Sequence, residues 1–301
     1  MSSSTMSSKF RTLGSSLIII LAAQAAFALT PVTRPADPRP IDQLVPAGTP
    51  TTAFASVKRA FELYGSVITA SPRYQQLLPL IAQGLPDPAR DIDEVGVCTD
   101  LTDRENMDVG FVFTGRVDRA RVLAFAAAHH VTFTTSMYRG IELLSGKTDS
   151  RAVQIAFFDE RITVVSADWK GLHPITHPIL DNLLTQAQPH DTILTPGYLI
   201  NVAQSVREWG ANASGSWGFL AHIAQLKLDA QPNADTKNVA IKIIILTDSH
   251  DFATQFSQQL VQYAAAAHTH IADPVVTVVN SDIHFDCTLL KSAIEGYLGN
   301  N

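Results

Sequence analysis

Residues 239–256 read VAIKIIILTDSHDFATQF, and residues 109–126 read VGFVFTGRVDRARVLAFA. Each stretch is an apolar strand that gives way, within a few residues, to a helix-capping side chain and then to helical apolar spacing. The run 239–246 is the most apolar strand candidate in the chain. Ser249 can cap a helix in which Phe252, Phe256, Leu260, Tyr263 and Ala267 lie on one face. In the earlier stretch, 109–114 is the strand, Asp118 is the cap, and Val122, Leu123, Phe125 and Ala126 supply the apolar face.

Similar signals extend outward from both stretches. Upstream of 109, an apolar helical pattern over 54–82 breaks near Ser71 and Pro72 and ends at Gly84, Pro86 and Pro88. A strand over 95–101 and a polar turn over 102–106 follow. Downstream come strand candidates at 131–135 and 140–144, then a hairpin of 152–158 and 161–166 turning at Asp159 and Glu160. Its period-two alternation marks strands with one face inward. Helical spacing resumes at 179–184. Around the second stretch, a helical run at 198–209, a glycine-rich break at 210–218, a strand at 219–228 and a polar turn at 231–237 precede residue 239. Strands at 275–279 and 283–287 and a helix over 289–298 close the chain. The shared order is helix, strand, turn, strand, capped helix, strand, strand, helix. It predicts an α+β fold of two similar halves, 52–190 and 191–301. Each would be a mainly antiparallel sheet with helices on one face.

The stretch Asp87-Pro88-Ala89-Arg90-Asp91-Ile92-Asp93-Glu94-Val95, the run from Gly110 to Gly115 with Asp118, and Tyr138-Arg139-Gly140-Ile141 together resemble a broad group of exported bacterial proteins of unknown function. In that group an apolar strand ending in glycine leads to a helix, a Tyr-x-Gly strand and a hairpin. The resemblance covers most of the body and implies a duplicated α+β fold and an envelope location. It brings no catalytic residues.

The N-terminus independently points to export. Lys9 and Arg11 precede an apolar run at 17–23, and Ala26-Phe27-Ala28 offers a small-x-small cleavage site. Residues 1–28 are therefore expected to be a signal peptide. The apolar run is shorter than the roughly 20 residues of a membrane span, so no stable span is expected after cleavage. Residues 29–51 carry Pro31, Pro35, Pro38, Pro40, Pro46 and Pro50, which predicts an extended, solvated linker. The whole chain has formal charge −6, and cleavage would leave 20 basic against 28 acidic residues. Without a basic cluster, binding to nucleic acid is not expected.

Few residues suggest chemistry. His173 and His177 stand four apart, as zinc ligands on a helix do, but Pro174 and Pro178 oppose a continuous helix and no third ligand is evident. They are the metal candidates, and loop or cap histidines are the simpler reading. His129 with His130, and His268 with His270, follow predicted helices and suit helix C-termini. Asp248, Ser249, His250 and Asp251 contain triad residue types, but they are sequence neighbours with no nucleophile elbow, and a helix cap explains them. Asp91, Asp93 and Glu94 read as a solvated turn, because the full calcium-loop pattern is missing. Asn212-Ala213-Ser214 fits a glycosylation acceptor. Cys98 and Cys287, the only cysteines, could pair in an oxidising compartment and staple the halves, or act as buried apolar thiols.

No catalytic or cofactor-binding residues emerge, and no cofactor is implied. The expectation is a secreted or periplasmic non-catalytic protein that binds an unknown envelope protein or small ligand, or has a structural role. The alternative is an exported metal-dependent hydrolase whose ligands meet only in the fold. A weaker third reading places a small apolar ligand between a sheet and its helices, which requires a large cavity.

Overall fold

The structure, a computed structural model, describes residues 37, 39–46, 51–100, 108–129, 131–147, 152–168, 175–185, 201–202 and 221–300. The expected signal peptide, most of the linker, His173 and the 210–218 segment lie outside them. The described residues form two sheets with helices, an α+β fold, and every strand pairing among them is antiparallel. Among the described residues no helix is long and apolar enough to cross a membrane.

The chain enters through a short helix α1 (Ile41–Leu44) and strand β1 (Thr51–Ser56). Helices α2 (Val57–Ala70), α3 (Pro72–Ala82) and α4 (Pro88–Asp91) lead to β2 (Ile92–Asp100) and β3 (Asp108–Gly115). Helix α5 (Arg119–Ala128) is followed by β4 (Phe133–Tyr138), β5 (Ile141–Lys147), β6 (Ala152–Phe157) and β7 (Ile162–Asp168). After α6 (Thr176–Thr185) and β8 (Asn201–Val202), eight strands lie in the order β4-β5-β6-β7-β3-β2-β1-β8. The second sheet is built from β9 (Ile223–Pro232), β10 (Val239–Thr247), β11 (Ile271–Val279) and β12 (Asp282–Leu289), in the order β11-β12-β10-β9. Helix α7 (His250–Ala266) packs on it, and α8 (Lys291–Asn300) ends the chain.

Local signals explain many of these boundaries. The side chains of Asp118 and Ser249 accept hydrogen bonds from the backbone N–H groups of Arg121 and Phe252, capping α5 and α7. Ser71 caps α3, with Pro72 in its first turn. In the β6–β7 turn, Asp159 Oδ1 accepts from the backbone N–H groups of Arg161 (2.7 Å) and Ile162 (2.6 Å), which fixes the reversal.

Four expectations are corrected. Residues 54–56, expected to open the helical run, belong instead to the strand Thr51–Ser56. Ser56 caps α2 through the Arg59 N–H, and Phe54 alternates inward while 51–56 pair with β2. Residues 201–202, expected within a helix, pair with β1, so the first sheet takes a strand from beyond the expected boundary at 190.

The third correction concerns the linker. Its stretch 41–45 is not solvated: Ile41, Leu44 and Val45 are buried, and Leu44 has no exposed surface. Arg161 donates to the carbonyls of Asp37 (2.8 Å) and Arg39 (3.0 Å), while Arg39 donates to the Leu183 carbonyl at 2.8 Å. Fourth, the first sheet carries helices on both faces. On one, Val122, Leu123 and Ala126 of α5 meet Phe111, Phe113 and Val165. On the other, α1 and α6 meet Cys98, Val112 and Val164. β3 is buried along nearly its whole length, as a strand covered on both sides must be. Glycine at 110 permits the close approach, since a Cβ there would stand 2.6 Å from Ile179 Cδ1.

The order strand, strand, helix, strand, strand occurs as β2-β3-α5-β4-β5 and as β9-β10-α7-β11-β12. In the second sheet β12 closes directly on β10. In the first, the β6–β7 hairpin stands between β5 and β3.

Candidate functional site

The second sheet is not uniformly packed. At one end Ile223, Ile245 and Ile283 are buried beneath Ala253 and Phe256 of α7. At the other end, Leu228, Val239, Ile241 and Leu289 remain partly exposed although they are apolar and lie in regular strands. They line a cavity of about 640 Å³. That volume lies within the roughly 300–1,000 Å³ typical of small-molecule sites. The space is open to the surface along one side, so it is a groove between α2 and the second sheet and not a void inside a core.

Its opposite wall is α2. Ala60, Leu63, Tyr64 and Ile68 recur at three- and four-residue spacing and so share one helical face. From Ser56 to Ile68 the lining runs about 18 Å along the helix at 1.5 Å per residue. Helix α8 adds Ile294 and Leu298, one turn apart. The wall is tied to the second sheet by the Tyr64 hydroxyl, which donates to the Lys237 carbonyl at 2.6 Å. α8 is fixed at its start, where the Lys291 N–H donates to Asn238 Oδ1 at 2.9 Å. Both anchors meet the β9–β10 turn, so that turn positions two sides of the cavity. Among the described residues the polar lining is sparse: Ser56, Arg59, Tyr64 and Gln231, with Arg59 the one charged residue.

The described residues that the sequence singled out are not among those lining the cavity. His177 stacks on the Tyr138 ring with centroids 4.0 Å apart and planes 5° from parallel. The Tyr138 hydroxyl donates to Asp181 at 2.9 Å, and Arg139 pairs with Asp181 at 3.2 Å. This cluster joins α6 to the β4–β5 turn, where Arg139 takes a positive φ of 47°. His129 Nε2 lies 2.8 Å from Gln83 Oε1, joining α5 to the end of α3, and His268 Nδ1 lies 3.1 Å from the Ala265 carbonyl at the end of α7. Among the described residues no three His, Cys, Asp or Glu side chains are grouped to hold a metal ion.

Asp91 corrects the reading of a solvated acidic turn. It is buried, bonded to Arg90 at 2.7 Å and to the Asp87 N–H at 2.9 Å, with Arg121 at 3.4 Å. Burial opposes its charge, but the Arg90 hydrogen bond, the Asp87 N–H and the two guanidinium charges outweigh it and hold its carboxyl below the ordinary value. Cys98 and Cys287 are free buried thiols, one in each sheet. Burial pushes the Cys98 thiol up to about 12. That disfavours the thiolate needed for exchange or metal binding.

The cavity left no mark in the sequence, because its walls come from residues some 170 positions apart. Only the α2 face was legible, as one side of the apolar helical run.

Neither a protein-family model nor a curated protein matches this sequence. The fold is similar to that of a solved structure, crystal form III of TP0453, with a TM-score of 0.54 and 6% identity. The likeness covers 87% of this chain and 98% of that one. At that identity it describes the shared architecture alone.

Proposed function

We propose that this is an exported, non-catalytic binding protein of the cell envelope that holds the apolar part of a small molecule between α2 and the second sheet. The observation that carries this reading is the 640 Å³ cavity with its almost wholly apolar lining. Such a lining gains free energy chiefly by removing apolar ligand surface from water. Export is supported by the basic, apolar and small-x-small order of residues 1–28 and by the resemblance to exported bacterial proteins. The recurring strand-strand-helix-strand-strand order supports an internal duplication, in which one copy accepted a hairpin and the other kept an open face.

The binding test uses the neutral dye N-phenyl-1-naphthylamine, which brightens in apolar surroundings. One saturable site is expected in the wild-type protein and a loss of at least tenfold in affinity in Ala60→Trp. Ala60 is partly exposed and lines the cavity, so tryptophan there fills space without cutting into a packed core. Absence of saturable binding, or unchanged binding to Ala60→Trp, would refute the reading. Export is tested separately by N-terminal sequencing after expression in a bacterial host: Leu29 is the expected first residue, and an intact Met1 on a cytoplasmic product contradicts it.

A further inference from the structure

The cavity combines length, apolarity and a single sign of charge. Its lining follows α2 for about 18 Å, at 1.5 Å per residue, which suits an extended chain better than a compact ring system. Among the described residues no acidic side chain lines it, and Arg59 alone brings charge to it. Arg59 lies in the first turn of α2, next to the Ser56 cap, so the cation stands at one end of that face and Ile68 at the other. A guanidinium has five N–H donors in a planar fork that matches a carboxylate or phosphate. Nη1 meets Glu62 Oε2 at 2.9 Å, with the two side chains 43% and 48% exposed. Exposed pairs of this kind contribute little and yield readily to a better-placed anion.

From this geometry we infer that the occupant is a single-chain acidic amphiphile, its alkyl chain lying along Leu63 and Ile68 and its carboxylate or phosphate head at Arg59. This rests on the apolar-ligand reading above and adds the head group and the direction of the chain. A neutral amphiphile of equal length would gain the apolar burial but leave the guanidinium in its exposed pair with Glu62. A cationic one would meet like charge.

Calorimetric titrations of the purified full chain, below micelle-forming concentrations, test this with dodecanoate, dodecyl phosphate, dodecanol and dodecyltrimethylammonium. At least one acid is expected to bind about tenfold or more tighter than dodecanol, the gain of a charge-assisted hydrogen bond. The tighter of the two acids then identifies the head. Lengthening the chain by two methylenes should tighten binding by about 15-fold. Arg59→Gln should erase the preference of the acids over dodecanol, a ratio that a merely structural role would not move. Equal binding of acid and alcohol, a preference that survives Arg59→Gln, or a preference for the ammonium would overturn the head-group inference and leave the apolar cavity standing. If none of the four binds, the cavity reading itself fails and this inference goes with it.

Discussion

Leu44→Ala separates the structure from the sequence expectation for the N-terminal segment. Leu44 has no exposed surface and lies in a cluster with Ile41, Val45, Phe54, Ile179 and Leu183. Truncating it removes the transfer free energy of a fully buried leucine and leaves a hole between α1 and the first sheet. The packing on the far side is stiff: a Cβ on Gly96 would stand 2.8 Å from Val45 Cγ2. The gap is therefore poorly placed to collapse, and a cost of about 2–5 kcal/mol follows. For a body of this size that corresponds to roughly 5–20 °C in Tm. Urea unfolding followed by circular dichroism, with the thermal midpoint as a second readout, measures it. Gln43→Ala, at a partly exposed neighbouring position, should stay within about 0.5 kcal/mol of wild type. An unchanged midpoint for Leu44→Ala would mean that residues 41–46 behave as a solvated linker and that the second helical layer on this sheet is wrong.

Gly115→Ala should destabilise by about 2–5 kcal/mol in the same assay. Its φ is 145° and an added Cβ would stand 2.2 Å from the Asp91 carbonyl oxygen, a backbone atom that cannot swing aside; wild-type stability would refute that geometry. Asp91 and Asp37 have carboxyls held below the ordinary 3.8, so the unfolded chain protonates first. Their contribution is complete well above that ordinary value and is lost as pH falls through it toward the lowered folded values, so the urea midpoint should drop as pH falls below about 4 and drop less in Asp91→Asn. A midpoint flat across that window would contradict the paired, buried geometry. Cys98, with no exposed surface and a thiol raised to about 12, should resist iodoacetamide at pH 8 until the protein unfolds. Rapid native labelling in a Cys287→Ser background would show that its strand is not covered.

Signals encoded within a few residues were legible in the sequence. The caps at Asp118 and Ser249 were readable because a side chain bonding three residues ahead needs no tertiary context. The β6–β7 hairpin was readable because alternation and turn chemistry are local. The covering of both sheet faces was not, since it depends on Ile41, Leu44 and Val45 returning from a proline-rich stretch to a strand more than 50 residues away. Residues 51–56 carried too little pattern to separate the edge of a strand from the start of a helix, and pairing with β2 decided it. His177 was noticed for its spacing from His173, yet its ring stacks on Tyr138, a contact made across the fold. The cavity is the extreme case. It is defined by side chains that fail to meet, and no residue type or spacing encodes a gap.

Methyl NMR of the protein with isotopically labelled Ile, Leu and Val, titrated with decanol, tests the apolar site most directly. The methyls of Leu63, Ile68, Leu228, Val239, Ile241 and Leu289, which line the space, are predicted to shift together along one saturable isotherm. Those of Val112, Ile155 and Ile179, sealed in the first sheet's two cores, should stay in place. Shifts scattered over the surface without saturation, or no shift in the first group, would contradict a ligand-holding cavity between α2 and the second sheet.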